Sequence, residues 1–278
     1  MKRIATMQDI SCIGKCSLTV ALPIISAMGV EAAVIPTAVL STHTAFKGFT
    51  FHDLTGEIEP ITAHWKKEGF AFDALYTGYL GSFEQLKLAE KLFKDFRADR
   101  TIVLVDPCMA DNGNLYPGFT REFAASMAEL CRHADIIVPN LTEASYMLNM
   151  PYPGDNYDEA YVKDTLKKLT ALGCPKAVLT GISLTDGRIG AYSYDALKDE
   201  YFYYDREELP QHFHGTGDIF ASTFVGALMN DKGFEESLKI ATDYVVECIR
   251  LTLENAEHNW YGVEFERAIP YLLERLYR

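Results

Sequence analysis

The sequence lacks several features that would each assign it to a particular class of protein. Its 278 residues contain no apolar run of 18 or more, so no membrane-spanning helix is expected. Its six cysteines are scattered without a CxxC pair, which argues against a zinc site or a disulfide framework. The N-terminus turns polar at Gln8 and Asp9 and has no apolar core typical of a signal peptide. We therefore expect a soluble protein of the cytoplasm.

Positive charge is also scarce, with 26 lysines and arginines against 39 aspartates and glutamates and a formal net charge of −13. Such an acidic surface repels nucleic acids and anionic lipid headgroups, so neither is an expected partner. An anionic ligand would need a local positive field from a helix N-terminus, backbone amides or a metal ion. No linker rich in Pro, Gly or Ser and no internal repeat divides the chain, so residues 1–278 are predicted to form one domain.

Short apolar segments alternate with amphipathic segments along most of the chain. The predicted strands are residues 3–7, 32–36, 74–77, 101–105, 135–138 and 176–180. The predicted helices are residues 17–28, 58–68, 83–96, 120–131, 159–172, 219–229, 235–253 and 264–276. Residues 188–194 and 200–204 flank a turn and predict an antiparallel hairpin at one edge of the sheet. This order predicts an α/β fold of three layers, with a mostly parallel sheet between two layers of helices.

The most specific motif is HGTGD at residues 214–218, in which two glycines and an acid open a predicted apolar helix. Amides at a helix N-terminus attract anions, and glycines let a phosphate approach the backbone closely. Asp218 would then lie beside a phosphoryl group and accept the proton of an attacking hydroxyl. The alternative interpretation is structural, with Asp218 capping the helix and the glycines forming a turn.

Four further motifs follow predicted strands, where ligands bind in sheets of this kind. They are STHT at 41–44, TGYLGS at 77–82, VDPCM at 105–109 and PNLTE at 139–143. Together with GTGD, and in this order, they resemble the pyridoxal (pyridoxamine) kinase family of the ribokinase-like superfamily along almost the whole chain. The resemblance implies ATP-dependent phosphorylation of the 5′-hydroxymethyl group of pyridoxal, pyridoxamine or pyridoxine. It also implies Mg²⁺ with ATP, a monovalent cation such as K⁺, and a homodimer.

The resemblance further implies roles for individual residues. An anion hole around the catalytic base Asp218 would be formed by Gly215, Thr216 and Gly217. Hydrated Mg²⁺, which prefers oxygen ligands, would be organised by Asp106 and Glu143. In the structural alternative, these acids and Asn140 only cap loops and a helix start. The substrate side would comprise Asp9, Ser11, His43, Thr44 and Tyr79, and the ATP side Tyr116, Asn140, Thr180 and Gly217.

Asp9 departs from the family pattern, in which many members carry a serine that contacts the pyridine ring. A carboxylate favours a positive partner, either a pyridinium N–H or the 4′-ammonium of pyridoxamine. We therefore hypothesise that Asp9 biases the enzyme toward pyridoxamine or pyridoxine over pyridoxal. Ser11 could instead supply the missing hydroxyl by a small shift.

Two other functions stay open at this point. The first is a kinase for another alcohol, of which hydroxymethylpyrimidine is favoured over sugars or nucleosides. Sugar and nucleoside kinases of the superfamily use an acidic residue close to the position of Asp9. The second is a vitamer-binding protein without catalysis. The segment between the first predicted helix and Ala74 is short and leaves little room for the inserted β-sheet lid of many sugar kinases. This favours a flat aromatic substrate.

Overall fold

The computed structural model describes residues 1–278 and contains one large sheet, one small hairpin and nine helices. The strands are β1 (Arg3–Ser11), β2 (Glu31–Leu40), β3 (Phe51–Asp53), β4 (Ala74–Thr77), β5 (Ile102–Val105), β6 (Ala110–Asp111), β7 (Asn114–Leu115), β8 (Ile136–Ile137), β9 (Lys176–Ile182), β10 (Arg188–Asp195) and β11 (Glu200–Glu207). The helices are α1 (Leu18–Ala27), α2 (Thr55–Lys67), α3 (Phe83–Phe96), α4 (Arg121–Cys131), α5 (Leu141–Met147), α6 (Glu159–Ala171), α7 (Thr216–Met229), α8 (Phe234–Glu254) and α9 (Phe265–Tyr277).

The large sheet has nine strands in the order β11-β10-β9-β8-β5-β4-β1-β2-β3. The six central strands, from β9 to β2, pair in parallel, whereas β3, β10 and β11 are antiparallel additions at the two edges. Central strands such as β5, with the sequence IVLV, are apolar at every position because helices cover both faces of the sheet. The carboxyl ends of all six parallel strands therefore meet at one edge, which is where ligands bind in folds of this kind.

Helices cover the sheet in two layers. One face packs against α2 to α6 over the largest apolar cluster, and the other face packs against α1, α7 and α8, with α9 packed on the outer side of α1 and α8. Side chains of Ser82, Thr120 and Asp158 cap α3, α4 and α6, which fixes where these helices begin. None of the nine helices combines the length and the apolar character needed to cross a membrane.

The predicted α/β fold with three layers and an edge hairpin is confirmed, and the differences lie in short or polar elements. The predicted elements do not include α5, β3 and the β6–β7 hairpin, which are each too short to show a periodic pattern. The first predicted strand also ends at residue 7, whereas β1 continues to Ser11 through the buried polar residues Gln8 and Asp9.

A buried ion pair joins the C-terminal helices to the edge hairpin. The Asp243 carboxylate accepts hydrogen bonds from Tyr204 Oη at 2.9 Å and from Arg275 Nε and Nη2 at 3.0 and 2.8 Å, and only 4% of its side chain is exposed. We expect Asp243→Ala to lower the free energy of unfolding by about 3 kcal/mol, the lower end for breaking a buried pair, because the guanidinium of Arg275 keeps only its longer contact with Glu236 at 3.7 Å. Urea denaturation measures the change. Asp164→Ala, which removes an exposed pair with Lys168, is the control and should cost about 1 kcal/mol or less.

Candidate active site

The sequence-predicted site residues lie at the carboxyl ends of the parallel strands or in the loops that follow them. Asp9 and Ser11 end β1, Tyr79 follows β4, and Asp106 follows β5 directly. Asn140 and Thr180 form a parallel bridge where β8 and β9 end, with the Thr180 amide bonded to the Pro139 carbonyl at 3.0 Å. The structure thus brings Asp9 and Thr180, which are 171 positions apart in sequence, to one edge of the sheet, as a doubly wound fold does.

The N-terminus of α7 faces this edge and has no capping side chain. Its N-cap residue Gly215 has a φ of 82°, and a Cβ there would lie 1.9 Å from the Lys15 carbonyl oxygen. Only glycine fits such a left-handed, close-packed position. The first helical amide with a backbone acceptor is that of Ile219, bonded to the Gly215 carbonyl at 3.0 Å. The amides before it carry partial positive charge toward the site and can bind an anion.

The two other residues of this turn differ in their surroundings. The Thr216 hydroxyl donates a hydrogen bond to the Phe213 carbonyl at 3.2 Å, which ties the turn to the segment before it. A Cβ at Gly217 would meet no atom within 4 Å. The backbone at Gly217 is thus open to an approaching group such as a phosphate.

Asp218 lies in the first turn of α7 with its side chain buried. Its Oδ1 atom has no hydrogen-bond partner. Burial raises the pKa of its carboxyl to about 7, while the backbone amide of Ser17 opposes the rise and the charge of Asp9 adds to it. A carboxylate with a free oxygen and a pKa near neutrality suits a general base.

Asp9 is the acid nearest to Asp218 on the β1 side, and it is also buried. The Ser11 hydroxyl donates to its Oδ2 atom at 2.9 Å, and the Ser17 hydroxyl donates to the same carboxylate. Burial raises the pKa of Asp9, and the two hydroxyls oppose the rise by stabilising its charge. The Ser11 hydroxyl is therefore engaged with the Asp9 carboxylate.

Two further acids belong to the site: Asp106 directly follows β5, and Glu143 lies in the first turn of α5. Asn140 caps α5 in a capping box, in which the Glu143 amide donates to Asn140 Oδ1 and Glu143 Oε2 accepts from the Asn140 amide, both at 2.9 Å. Glu143 Oε1 also accepts from the Met109 amide at 3.1 Å. Glu143 thus has the structural role of the alternative interpretation, and the Ala110 amide adds a third backbone hydrogen bond to its carboxylate.

Asp106 has no such support, because no hydrogen bond to its carboxylate exists in the structure, and it is buried. Burial raises its pKa well above the ordinary value, and the negative charges of Glu143 and Asp218 raise it further. No lysine or arginine contributes to the field at any of these three acids. A buried cluster of acids without a cation fits a divalent metal ion, which would supply the missing charge.

The number of candidate ligands bears on which metal fits. No three His, Cys, Asp or Glu side chains are grouped so that they could hold an ion by themselves. Mg²⁺ keeps several of its waters and binds through one or two carboxylates together with substrate phosphates. Asp106 and Glu143 match that requirement, and they would hold the ion at the end of β5, beside Asp218.

Two tyrosines lie close enough to the acids of the site for the acids' charges to raise their pKa values. Burial raises the pKa of Tyr79 to about 12, and the charge of Asp9 adds to the rise, so its hydroxyl is a neutral donor near the β1 end. Burial also raises the pKa of Tyr116, with added contributions from Cys108, Glu143 and Asp111. Tyr79 is thus on the side predicted for the substrate, and Tyr116 is next to the predicted metal carboxylates.

His43 and Thr44 lie in the loop between β2 and β3. The His43 ring is buried and both of its nitrogens bond to backbone, Nε2 to the Tyr261 carbonyl at 3.0 Å and Nδ1 to the Ala45 amide at 3.1 Å. Thr44 is exposed and stands beside it. Thr44 is thus free to contact a ligand, whereas the two nitrogens of His43 are already engaged.

Sequence reasoning missed two polar residues of the site. Ser17 precedes α1, where a serine normally caps the helix, but its φ of 52° turns the side chain away and it makes no capping bond. Its hydroxyl reaches Asp9 and its amide reaches Asp218 instead. Tyr76 is fully buried in β4, and its hydroxyl has no hydrogen-bond partner. Burial raises the pKa of Tyr76, and the charges of Asp106 and Asp218 raise it further. Neither environment has a local sequence signal.

Comparison with known proteins identifies the family. The sequence profile described as phosphomethylpyrimidine kinase matches residues 21–261. A crystal structure from Bacteroides thetaiotaomicron, assigned as a phosphomethylpyrimidine kinase, is 38% identical with a TM-score of 0.93 and covers 98% of this chain and 93% of that one. A second crystal form of that protein contains pyridoxal. The pyridoxal kinase of Lactobacillus plantarum is 29% identical with a TM-score of 0.89, over 99% of this chain and 97% of that one.

Curated relatives give the same indication over shorter stretches. The pyridoxine kinase of Bacillus subtilis is 28% identical over 191 residues, which is 66% of this chain and 66% of that protein. The chain thus spans just under two thirds of that relative's length. The pyridoxal kinase of Pasteurella multocida is 23% identical over 89% of this chain and 87% of that protein. The chain therefore belongs to the phosphomethylpyrimidine kinase family, within the ribokinase-like group that includes the pyridoxal kinases.

Proposed function

We propose that this protein transfers the γ-phosphoryl group of ATP to the 5′-hydroxymethyl group of a vitamin B6 vitamer, and so serves in pyridoxal phosphate salvage. The proposal rests mainly on one observation: the buried Asp218 carboxylate, whose Oδ1 atom has no hydrogen-bond partner, lies at the uncapped N-terminus of α7. This arrangement places a proton acceptor and an anion site within one helical turn. The pyridoxal found in a relative of 38% identity supports the choice of substrate.

Different residues of the chain would bind the phosphate, accept the proton and orient the ring. The amides at Gly215 to Asp218 bind the phosphate oxygens and stabilise their charge as it shifts during transfer. Asp218 accepts the proton of the hydroxymethyl group while its oxygen forms the new bond to phosphorus and the bond to the departing ADP oxygen breaks. The proton then leaves from Asp218 to solvent. Tyr79 and Asp9 orient the ring from the β4 and β1 ends.

The family implies ATP with a divalent metal, and the acids fit Mg²⁺ best. Asp106 and Glu143 would hold it, and it would supply positive charge that offsets the phosphate oxygens. The ATP side would comprise Tyr116, Asn140, Thr180 and Gly217. A requirement for K⁺, a homodimer and a cytoplasmic location stay predictions, which ion-dependent kinetics, light scattering and cell fractionation would test.

Asp9 is proposed to select the positively charged vitamer. A buried carboxylate that accepts hydrogen bonds from two serine hydroxyls gains most from a cationic partner, since little solvent screens the pair. We expect Asp9→Ser to lower the ratio of kcat/KM for pyridoxamine to that for pyridoxal by about tenfold, the effect of one charge-assisted hydrogen bond. Steady-state kinetics with both vitamers measures it. An unchanged ratio would show that Asp9 does not choose between them.

A second substrate has an observation in its favour, because the family profile carries the description phosphomethylpyrimidine kinase. Hydroxymethylpyrimidine is also a flat ring with a primary alcohol, and the same base and anion site would serve it. The discriminating experiment is a coupled ADP-release assay with MgATP and a panel of alcohols: three B6 vitamers, hydroxymethylpyrimidine, ribose and adenosine. Turnover on the vitamers supports the proposal. Turnover on the pyrimidine alone replaces the substrate, and no turnover on any of them favours a binding protein.

A further inference from the structure

The neutral form of His43 is fixed by two backbone hydrogen bonds. The Ala45 amide donates to Nδ1 at 3.1 Å, so Nδ1 must be the unprotonated nitrogen. Nε2 then carries the proton and donates it to the Tyr261 carbonyl at 3.0 Å. Burial lowers the pKa of His43, in keeping with a neutral ring. His43 therefore links the loop after β2 to the segment between α8 and α9, 218 residues away.

Aromatic rings surround this link, and we call His43, Phe46, His214, Trp260 and Tyr261 the mouth cluster. The His43 ring centre lies 4.9 Å from Phe46, 5.0 Å from His214 and 6.0 Å from Trp260. The ring centre of Phe46 lies 4.6 Å from that of Trp260 and 5.5 Å from that of Tyr261. Such distances are those of aromatic pairs that stabilise each other beyond simple burial. Trp260 nevertheless stays 56% exposed, as few large apolar side chains do.

The mouth cluster also contacts the loop that follows β1. The His43 amide donates to the Ile13 carbonyl at 3.2 Å, and a Cβ on Gly14 would lie 2.5 Å from the His43 ring. A Cβ on Gly262 would lie 2.4 Å from Cβ of Lys15, whose carbonyl in turn touches Gly215. The segment between α8 and α9 is therefore packed against the loop that follows β1, and this loop in turn packs against the start of α7.

The base of that segment is firmly held. Asn255 Nδ2 donates to Glu264 Oε1 at 2.6 Å, and the Glu264 amide donates to the Thr252 hydroxyl at 2.7 Å. Trp260 thus projects from an anchored connection and not from a free loop. An anchored aromatic side chain can hold a neighbouring loop in one position at little further entropic cost.

The position of the cluster in the sheet indicates which ligand it affects. It contacts the loops after β1 and β2, whereas the candidate ATP residues lie on the other side of β4 and β5, with Asn140 after β8 and Thr180 near the end of β9. The loop after β2 carries Thr44, the exposed candidate for substrate contact. The cluster approaches the nucleotide side only through His214, which precedes the turn at Gly215, so loss of order at Trp260 should act on the alcohol far more than on the nucleotide.

We propose that Trp260 and Tyr261 are positioning residues for the alcohol substrate, which hold His43 and the loop of Thr44 over the site. This proposal rests on the kinase function proposed above and adds the segment between α8 and α9 to its substrate side. Trp260 acts through Phe46 and His43 and does not itself touch the reacting atoms. The segment therefore sets the affinity for the alcohol and leaves the phosphoryl transfer step to Asp218.

The test compares Trp260→Ala and Trp260→Phe with wild type. We expect Trp260→Ala to raise KM for the preferred vitamer about three- to tenfold, the effect of losing an aromatic pair, with kcat and KM for ATP changed less than about twofold. Trp260→Phe should restore most of the affinity because a ring remains against Phe46. Calorimetric titration of each variant with pyridoxamine, and separately with a non-hydrolysable ATP analogue, should show the same split in Kd.

Leu197→Ala is the matched control, since it removes an exposed apolar side chain at the tip of the distant hairpin. Phe46→Ala gives a second way to disrupt the cluster if Trp260→Ala lowers the thermal midpoint. An unchanged KM for the alcohol in Trp260→Ala, or an equal loss for ATP, overturns the inference. If wild type acts only on another alcohol, the vitamer assignment fails. The variants are then compared with wild type on that alcohol, and the inference about Trp260 is tested there. If wild type neither turns over nor binds any alcohol, both proposals fail.

Discussion

Asp218→Asn is expected to lower kcat about 10²–10⁴-fold while leaving the affinity for ATP nearly unchanged. General-base catalysis contributes an effect of this size, and asparagine keeps the shape of the side chain without its ability to accept the proton. The phosphate-binding amides of α7 stay in place because the backbone of the turn is set by Gly215. Steady-state kinetics gives kcat, and equilibrium titration with an ATP analogue gives the affinity.

The pH profile separates a base from a merely structural acid. Because burial raises the pKa of Asp218 to about 7, the carboxylate is protonated below that pH and kcat/KM of the wild type should fall as the pH drops through it. The residual activity of Asp218→Asn should lack this acid limb. A variant that loses ATP affinity as strongly as kcat, or that retains the limb, would assign Asp218 a structural role.

Gly215→Ala has the second-largest expected effect, a loss of about 10²–10³ in kcat/KM, the usual result of displacing an anion-stabilising amide. The added methyl group would lie 1.9 Å from the Lys15 carbonyl oxygen at a φ of 82°, so the turn or the loop must move. Kinetics and a thermal unfolding scan on the same samples measure the loss and the accompanying fall in stability.

Gly233→Ala is the matched control, since Gly233 also precedes a helix. It has a φ of −62° and nothing lies within 4 Å of an added Cβ, so the variant should keep the activity and the thermal midpoint of wild type. Gly217→Ala adds a methyl group in open space, so it should fold normally yet bind ATP more weakly. Wild-type kinetics in Gly215→Ala would refute the proposed anion site.

The parts of the fold that could be predicted are those in which one physical cause dominates a long segment. Strands covered on both faces, such as β5, are apolar throughout, and long amphipathic helices such as α3 repeat their apolar positions. The polar end of β1 could not be predicted in this way. Gln8, Asp9 and Ser11 are buried there because the sheet edge encloses them, and hydropathy alone ends the strand at Met7.

The candidate site could be predicted where its residues follow a strand or open a helix, because position in the chain then indicates position in space. Asp218, Asp106 and Asn140 are of this kind. Ser17 could not be found, since its role depends on a left-handed backbone that turns it from the helix toward Asp9. The contact of His43 with Tyr261 spans 218 residues, and no local pattern in the sequence reports it.

The most direct test of the central claim is phosphorus NMR of a reaction containing the protein, MgATP and pyridoxamine, run beside the Asp218→Asn variant. The account predicts ADP together with one new phosphate monoester on the 5′ oxygen in equal amounts, and almost none with the variant. ADP that appears with free phosphate and no ester, or an ester formed equally fast by Asp218→Asn, would contradict the claim that Asp218 directs phosphoryl transfer to the hydroxymethyl group.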